Sequence, residues 1–372
     1  EREHASRKAA QASRVWRNPR LIMEDIADPA PLPDEVIIKV KTCGVCGSDI
    51  HCVMPDSEGY VQFSGPARLP VILGHEYAGE VVAAGDDVRT VRVGDPVAAE
   101  GMLWCGLCES CRRGRPNQCV NLEMVGFSAP GAFAEYIATK ERYCWSLLPL
   151  LESLDLPASG VFELGALLEP AGCAYNGLFV GHECFKPGVR VAVFGAGPIG
   201  LAAVALARAA GASLIVAFDP SEDRLRLAGV MGANRTCSPH ASGQPDTSLV
   251  EVLMDLTGGE GVDIIVEAAG AAEETLPIME RTLAPNGRIV YLGRTGAHAS
   301  VNLDLMVSGA SAIAGSRGHA GHGIYPNLIR MVSAGLLPLG AMVTARHPFP
   351  QVEAALHDAG DRRHGKVMVV SE

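Results

Sequence analysis

Long apolar runs are missing from this chain. No stretch reaches the roughly 18 residues that a membrane-spanning helix needs, so a helical membrane protein is not expected. The opening segment, EREHASRKAAQASRVWRNPR, is polar and basic and lacks the apolar core of a secretory signal peptide. An excess of basic residues is missing too. The 31 Lys and Arg stand against 42 Asp and Glu, a net charge of −11. That balance argues against a nucleic-acid or anionic-membrane partner. Internal repeats and low-complexity tracts are absent as well. These absences lead to the expectation of a cytoplasmic protein.

Cysteine, by contrast, is plentiful. The chain holds 11, and with no secretory signal they are expected in metal or core roles in a reducing compartment. Four crowd into CGLCESCRRGRPNQC: Cys105, Cys108, Cys111 and Cys119. Two-residue gaps let consecutive thiolates converge on one tetrahedral ion, and the longer return brings the fourth. This is the ligand pattern of a closed, structural zinc site. Cys52, Cys144, Cys184 and Cys237 carry no such spacing and are read as core or surface thiols.

With 372 residues, 48% of them hydrophobic, the chain is too long for a single core, and two domains are expected. From about Ile22 to Tyr143, short alternating segments such as EVIIKVKTCGVCG and YAGEVVAAGDDV read as strands of a partly open β-barrel. From about Lys186, apolar strands alternate with helices: VRVAVF, LAAVALARAAG, LIVAFDP, SEDRLRLAGVMGA, VDIIVEAAG and GRIVYLGRT. That alternation implies a doubly wound parallel sheet. The fold class is therefore α/β, in two domains. The expected division gives residues 1–172 to a catalytic domain with the four-cysteine lobe and 173–312 to a dinucleotide-binding domain. Residues 313–372 return to the first.

The dinucleotide reading rests on Gly195-Ala196-Gly197-Pro198-Ile199-Gly200, which follows a strand and opens a helix. The first glycine makes the turn, the second lets the backbone approach a pyrophosphate, and the third lets helix and strand pack closely. Asp219 ends the next strand, 19 residues beyond Gly200. Its carboxylate suits the ribose hydroxyls of NAD and repels the 2′-phosphate of NADP. Arg224, Leu292, Gly293 and Arg317 complete the candidate cofactor contacts.

A second metal-type set precedes the lobe. Cys43-Gly44-Val45-Cys46-Gly47-Ser48-Asp49-Ile50-His51 is followed by Gly74-His75-Glu76. A thiolate, an imidazole and a carboxylate are zinc ligand types, and a catalytic zinc takes three protein ligands and leaves one position open. Cys46 and His75 are the first two candidates. For the third, Glu169 stands in the otherwise apolar stretch LGALLEPAGCAYNGLF, where a bare buried carboxylate is costly. Cys173 is its rival. Asp49 and Glu76 are read as groups that orient the ligands.

In this order, these motifs resemble the zinc-dependent medium-chain alcohol dehydrogenases over essentially the whole length. The resemblance implies a GroES-like catalytic domain, a Rossmann domain, NAD, two zinc ions per chain and a homo-oligomer, dimer or tetramer. Glu169-Pro170 is similar to the polyol branch, which includes sorbitol and threonine dehydrogenases and is often tetrameric. It favours Glu169 over Cys173, binding zinc directly or through water. It also implies that Ser48 takes the substrate proton and that His51 delivers it to solvent. The segments PDSEGYVQFSGPARLPVILGHE, ERYCWSLLPLLESLDL and GSRGHAGHGIYP resemble the scyllo-inosose dehydrogenases within that branch. The expectation is a dehydrogenase of a cyclitol or sugar-like polyol, with Tyr60, Arg317, His319, His322 and the Asp56–Gly65 loop facing the ring. Alternatives are a threonine-type amino-alcohol or aminocyclitol dehydrogenase and, in another class, a noncatalytic dinucleotide-binding protein kept folded by the lobe zinc. Intact Cys46, His75, Glu169, Ser48 and His51 count against the last.

Overall fold

The computed structural model describes residues 15–181, 185–239, 247–296 and 298–371. Cys184 falls outside them. Fifteen strands are found among the described residues, and all but two join two sheets. The first part of the chain supplies β1 (Glu35–Gly44), β2 (Glu76–Ala84), β3 (Pro96–Ala99), the short β4 (Met102–Leu103) and β5 (Glu123–Met124), β6 (Tyr136–Lys140) and β7 (Cys144–Ser146). The middle supplies β8 (Arg190–Phe194), β9 (Leu214–Phe218), β10 (Arg235–Cys237), β11 (Val262–Glu267), β12 (Leu283–Tyr291) and β13 (Ala312–Gly315). The end adds β14 (Val343–Pro348) and β15 (Lys366–Val370).

A seven-stranded sheet runs β14-β15-β1-β2-β3-β7, with β6 also on β1. The last residues of the chain therefore return to the first sheet. β1 is covered on both faces, and this is why its sequence, EVIIKVKTCG, does not alternate cleanly: seven of its ten residues are buried. The metal-type residues follow from this sheet. Cys46 comes two residues after β1, and His75-Glu76 opens β2, which pairs antiparallel so that Gly44 faces Glu76.

The second sheet is parallel, in the order β10-β9-β8-β11-β12-β13. Strand order reverses between β8 and β11, and ligands of such sheets bind in the crevice outside the carboxyl ends at that point. The helix Pro198–Ala209 leaves β8 there, with Pro198 in its first turn. Its residues Gly200–Ala207 are all buried, because it packs between the sheet and the helix Leu168–Tyr175. That all-round burial explains its alanine-rich sequence.

Helix Leu168–Tyr175 continues the buried run from Ala158–Ala166 and passes into a wider helical turn at Asn176–Val180. It carries Glu169 and Cys173 and links the two sheets. No described helix is long and apolar enough to cross a membrane. The thiols without a spacing argument sit as ordinary packing groups: Cys52 and Cys144 are buried in clusters of the first domain, and Cys237 packs against a core beside the parallel sheet.

Candidate active site

Cys46 caps the short helix Gly47–Val53, with Asp49 at its third position returning to accept the Cys46 N–H at 3.0 Å. Asp49 is fully buried. It also accepts the Gly74 N–H at 3.3 Å, which ties the two metal-type motifs to one carboxylate. Its Oδ1 lies 3.3 Å from His75 Nδ1, close enough for ionic attraction although not aligned as a hydrogen bond. A carboxylate on that side fixes the Nδ1–H form and leaves the Nε2 lone pair free. Nε2 faces Ser48 Oγ at 3.5 Å. Burial, the largest single influence, opposes protonation of His75, but the contacts with Asp49 and Cys46 together outweigh it and raise the imidazole pKa well above its ordinary value in the metal-free site. Cys46, His75 and Glu76 each offer a ligand atom, and these atoms lie within 4.8 Å of one another. One thiolate, one imidazole and one carboxylate at that separation fit a zinc ion.

Glu76 is buried and paired with the fully buried Lys366, whose ammonium also donates to Val45 O at 3.0 Å. Burial pushes the Glu76 carboxyl up and Lys366 pulls it down. Lys366 was not singled out from the sequence. GKVMVV reads as a strand with a flanking lysine, and its partner stands 290 residues away, so no local pattern announces the pair.

Glu169 stands in an adjoining cluster with Cys173 and His319, whose ligand atoms also lie within 4.8 Å of one another. His319 Nδ1 is 3.0 Å from Glu169 Oε1, and the Cys173 thiol donates to the same oxygen at 3.6 Å. Burial, the largest single influence, would raise the Glu169 pKa, but His319, His75 and Lys366 together outweigh it and hold the carboxyl at about 2. The two clusters adjoin at Gly101, where an added Cβ would fall 3.1 Å from His75 O and 3.9 Å from His319 Cε1. His319, expected to face the ring, is 1% exposed, and its other nitrogen accepts the Gly101 N–H at 3.2 Å. Both of its polar atoms are used within the protein. Arg317 and His322 of the same loop are exposed. Tyr60 is buried, with the Arg17 guanidinium 4.8 Å over its ring. His51 lies one turn beyond Ser48 on the same helix and is partly exposed.

In the lobe, Cys105, Cys108, Cys111 and Cys119 bring four sulfurs within 4.8 Å. Cys119–Cys105 is 3.5 Å and Cys108–Cys119 is 3.8 Å. Zinc–sulfur bonds of about 2.3 Å place tetrahedral sulfurs about 3.8 Å apart, so the quartet fits a closed zinc site. Backbone N–H groups of Leu107 and Cys108 point at Cys105 Sγ, both at 3.4 Å, and draw its thiol down to about 6. Such N–H groups favour the thiolate that a metal requires.

The dinucleotide turn lies at the reversal point of the parallel sheet. At Gly200 an added Cβ would fall 1.8 Å from Gly195 O, so only glycine permits this helix–turn contact. Asp219 is buried and accepts the Ala196 N–H and the Ser221 N–H, each at 2.8 Å. Arg224 donates to His364 O at 2.9 Å, and its guanidinium reaches toward Gly197. Leu292 and Gly293 follow β12, with both N–H groups on Glu267 O at 2.8 and 2.9 Å. Just beyond, Arg294 donates to Ser64 Oγ at 3.0 Å and so bridges the parallel sheet to the Asp56–Gly65 loop.

Residues 32–149 match the alcohol dehydrogenase GroES-like domain, and residues 198–334 match the zinc-binding dehydrogenase domain. The chain is 38% identical to scyllo-inosose 3-dehydrogenase of Thermotoga maritima, over 87% of this chain and 83% of that protein. It is 32% identical to L-threonine 3-dehydrogenase of Symbiobacterium thermophilum, over 95% of each. A solved Thermotoga maritima structure, described as that of a proposed alcohol dehydrogenase, superposes with a TM-score of 0.90 at 35% identity, over 97% of this chain and 92% of that one. A Sinorhizobium meliloti structure, described as a proposed zinc-binding dehydrogenase bound to NADP, superposes with a TM-score of 0.81 at 28% identity, over 93% and 94%.

Proposed function

Because the chain belongs to the zinc-type medium-chain alcohol dehydrogenase family, we propose that it oxidises a secondary ring hydroxyl of a cyclitol or closely related polyol to a ketone, with NAD as acceptor. The observation that carries the substrate class is the likeness to scyllo-inosose 3-dehydrogenase over most of both chains. It is supported by the long Cys46–His75 connection and by the polar loop from Arg317 to His322 beside Glu169. The proposed division assigns residues 1–172 and 313–372 to the metal and substrate and 173–312 to the coenzyme.

In this reading one zinc is structural, on the four lobe cysteines, and one is catalytic. Cys46 and His75 would hold the catalytic ion. Glu76 is the carboxylate grouped with them, and Glu169 stands beside the site and would meet the ion directly or through water. When bound, zinc supplies the Lewis acidity that lowers a hydroxyl's pKa, and the nicotinamide accepts hydride. The remaining steps belong to this chain. Ser48 Oγ, next to His75 Nε2, takes the hydroxyl proton. His51, partly exposed one helical turn on, passes it to solvent. Asp49 fixes the ring orientation of His75 and the start of the helix that carries Ser48. Asp219 holds the adenosine ribose, and the Gly195–Gly200 turn receives the pyrophosphate at a helix N-terminus. Arg317 and His322, exposed on their loop, offer polar groups to the ring hydroxyls.

The threonine reading has one observation in its favour, the 95% mutual coverage with a threonine dehydrogenase. A panel of cyclitols, aminocyclitols, polyols, threonine and short alcohols, followed by NADH absorbance, separates the two. Ring substrates should give the highest kcat/KM, and butanol should be poor, since it leaves desolvated polar groups unpaired at about 1–3 kcal/mol each. Threonine turning over faster than every cyclitol would reverse the assignment.

A further inference from the structure

His319 lies on neither metal-type motif, yet it is among the most enclosed polar side chains of the site. Its Nε2 accepts the Gly101 N–H at 3.2 Å. An acceptor nitrogen carries no proton, so the ring proton sits on Nδ1, which lies 3.0 Å from Glu169 Oε1 and 4.0 Å from Cys173 Sγ. In that form His319 has no lone pair left for a metal and no donor left for a substrate. What it can do is hold the Glu169 carboxylate in one orientation.

The surroundings are built for that contact. Asn176, buried directly after the helix that carries Glu169, donates to the carbonyls of Arg317 and Gly318 at 3.1 and 2.9 Å. Asn117, from the four-cysteine lobe, donates to Arg317 O at 3.0 Å. The two asparagines clasp the peptide just ahead of His319, both through the Arg317 carbonyl. On the helix, Gly172 faces His319 so closely that an added Cβ would fall 2.7 Å from His319 Cβ. Gly101, the donor to Nε2, follows Glu100, a buried carboxylate that accepts both the Trp145 and Trp104 indoles at 3.0 and 3.4 Å. Trp104 adjoins Cys105 of the lobe. Loop, lobe and helix thus converge on one imidazole.

We propose that His319 is a positioning residue, fixed by Gly101 and by the Asn117–Asn176 clasp, that orients Glu169 toward the zinc held by Cys46 and His75. This rests on the reading that Glu169 serves that zinc. A hydrogen-bonding partner behind a metal-facing carboxylate usually alters metal affinity by about 10–100-fold when it is removed.

The test uses the full-length, zinc-loaded enzyme and three variants at the position. His319→Ala removes both bonds, His319→Asn keeps a donor where Nδ1–H stood, and His319→Gln keeps an acceptor near Nε2. Zinc affinity of the catalytic site is read by competition with a chelator, NAD affinity by fluorescence titration, and kcat/KM for a cyclitol and for a short secondary alcohol. His319→Ala should weaken zinc binding about 10–100-fold, leave NAD affinity unchanged and lower kcat/KM for both alcohols by the same factor. His319→Asn should recover most of the zinc affinity. Gly172→Ala, which crowds the imidazole without deleting it, should act in the same direction and serves if His319→Ala does not fold. Unchanged zinc affinity in His319→Ala overturns the inference. So does a loss confined to the cyclitol, which would make His319 a substrate contact, or a His319→Asn no better than alanine. Glu169→Gln separates the two levels. If it lowers zinc affinity while the His319 variants are silent, the inference alone fails. If it too is silent, the reading of Glu169 fails and the inference with it.

Discussion

At the scale of single residues, the chemistry that was plain in the sequence is the chemistry with short spacing. Cys46 with Ser48, His75 with Glu76, and Gly195 through Gly200 are all local patterns, and each is set by one turn. Asp219 was legible for the same reason, since a fixed strand–turn–helix–strand unit brings it back to the glycine turn. Its carboxylate takes two backbone N–H groups, from Ala196 and Ser221. Each oxygen keeps a lone pair for a ribose hydroxyl. A 2′-phosphate there would meet that negative charge, whereas Arg224, which reaches toward Gly197, would welcome it. NAD should therefore be preferred over NADP by tenfold or more in kcat/KM, about 1.4 kcal/mol at the least. Asp219→Ser should narrow the gap, chiefly by weakening NAD. Steady-state kinetics with the two coenzymes check this, and equal values in the unaltered enzyme would show that Asp219 does not select.

At the scale of elements, the less legible part of the site is made by strands and loops that are neighbours only after folding. β15 joins β1, β1 joins β2, and this puts Lys366 against Glu76 with neither exposed. Nothing in GKVMVV distinguishes Lys366 from a solvated strand end. His319 was named as a candidate, but its burial was hidden for a related reason. A loop rich in glycine and histidine reads as solvated, and only the clasp by Asn117 and Asn176 turns it inward. The Glu76–Lys366 pair carries its own prediction. Lys366→Met should cost about 3–5 kcal/mol, because it strands a buried carboxylate. The double variant Glu76→Gln/Lys366→Met should be clearly more stable than Lys366→Met alone. Urea denaturation of metal-free protein measures both, and a Lys366→Met within about 0.5 kcal/mol of the parent would mean that the pair is not buried as described.

At the scale of the whole molecule, two sheets share one connecting helix, and the functional groups collect where they meet. The first sheet supplies Cys46, His75 and Glu76, the connecting helix supplies Glu169, and the parallel sheet supplies the coenzyme turn. The doubly wound order was readable from alternating apolar strands and helices. The return of residues 313–372 to the first domain was part of the expected division, but only GKVMVV read as a strand there, and neither β14 nor β15 carries a local mark of its partner. The central claim is that two independent zinc sites serve one chain, one for stability and one for chemistry. Zinc analysis per chain, on unaltered enzyme, Cys46→Ser and Cys111→Ser, tests it most directly. The account predicts two zinc ions in the unaltered enzyme. Cys46→Ser should keep one zinc and the fold but lose NAD-linked turnover, and Cys111→Ser should lose one zinc and melt at a lower temperature. One zinc per chain in unaltered protein, or undiminished turnover in Cys46→Ser, would contradict it.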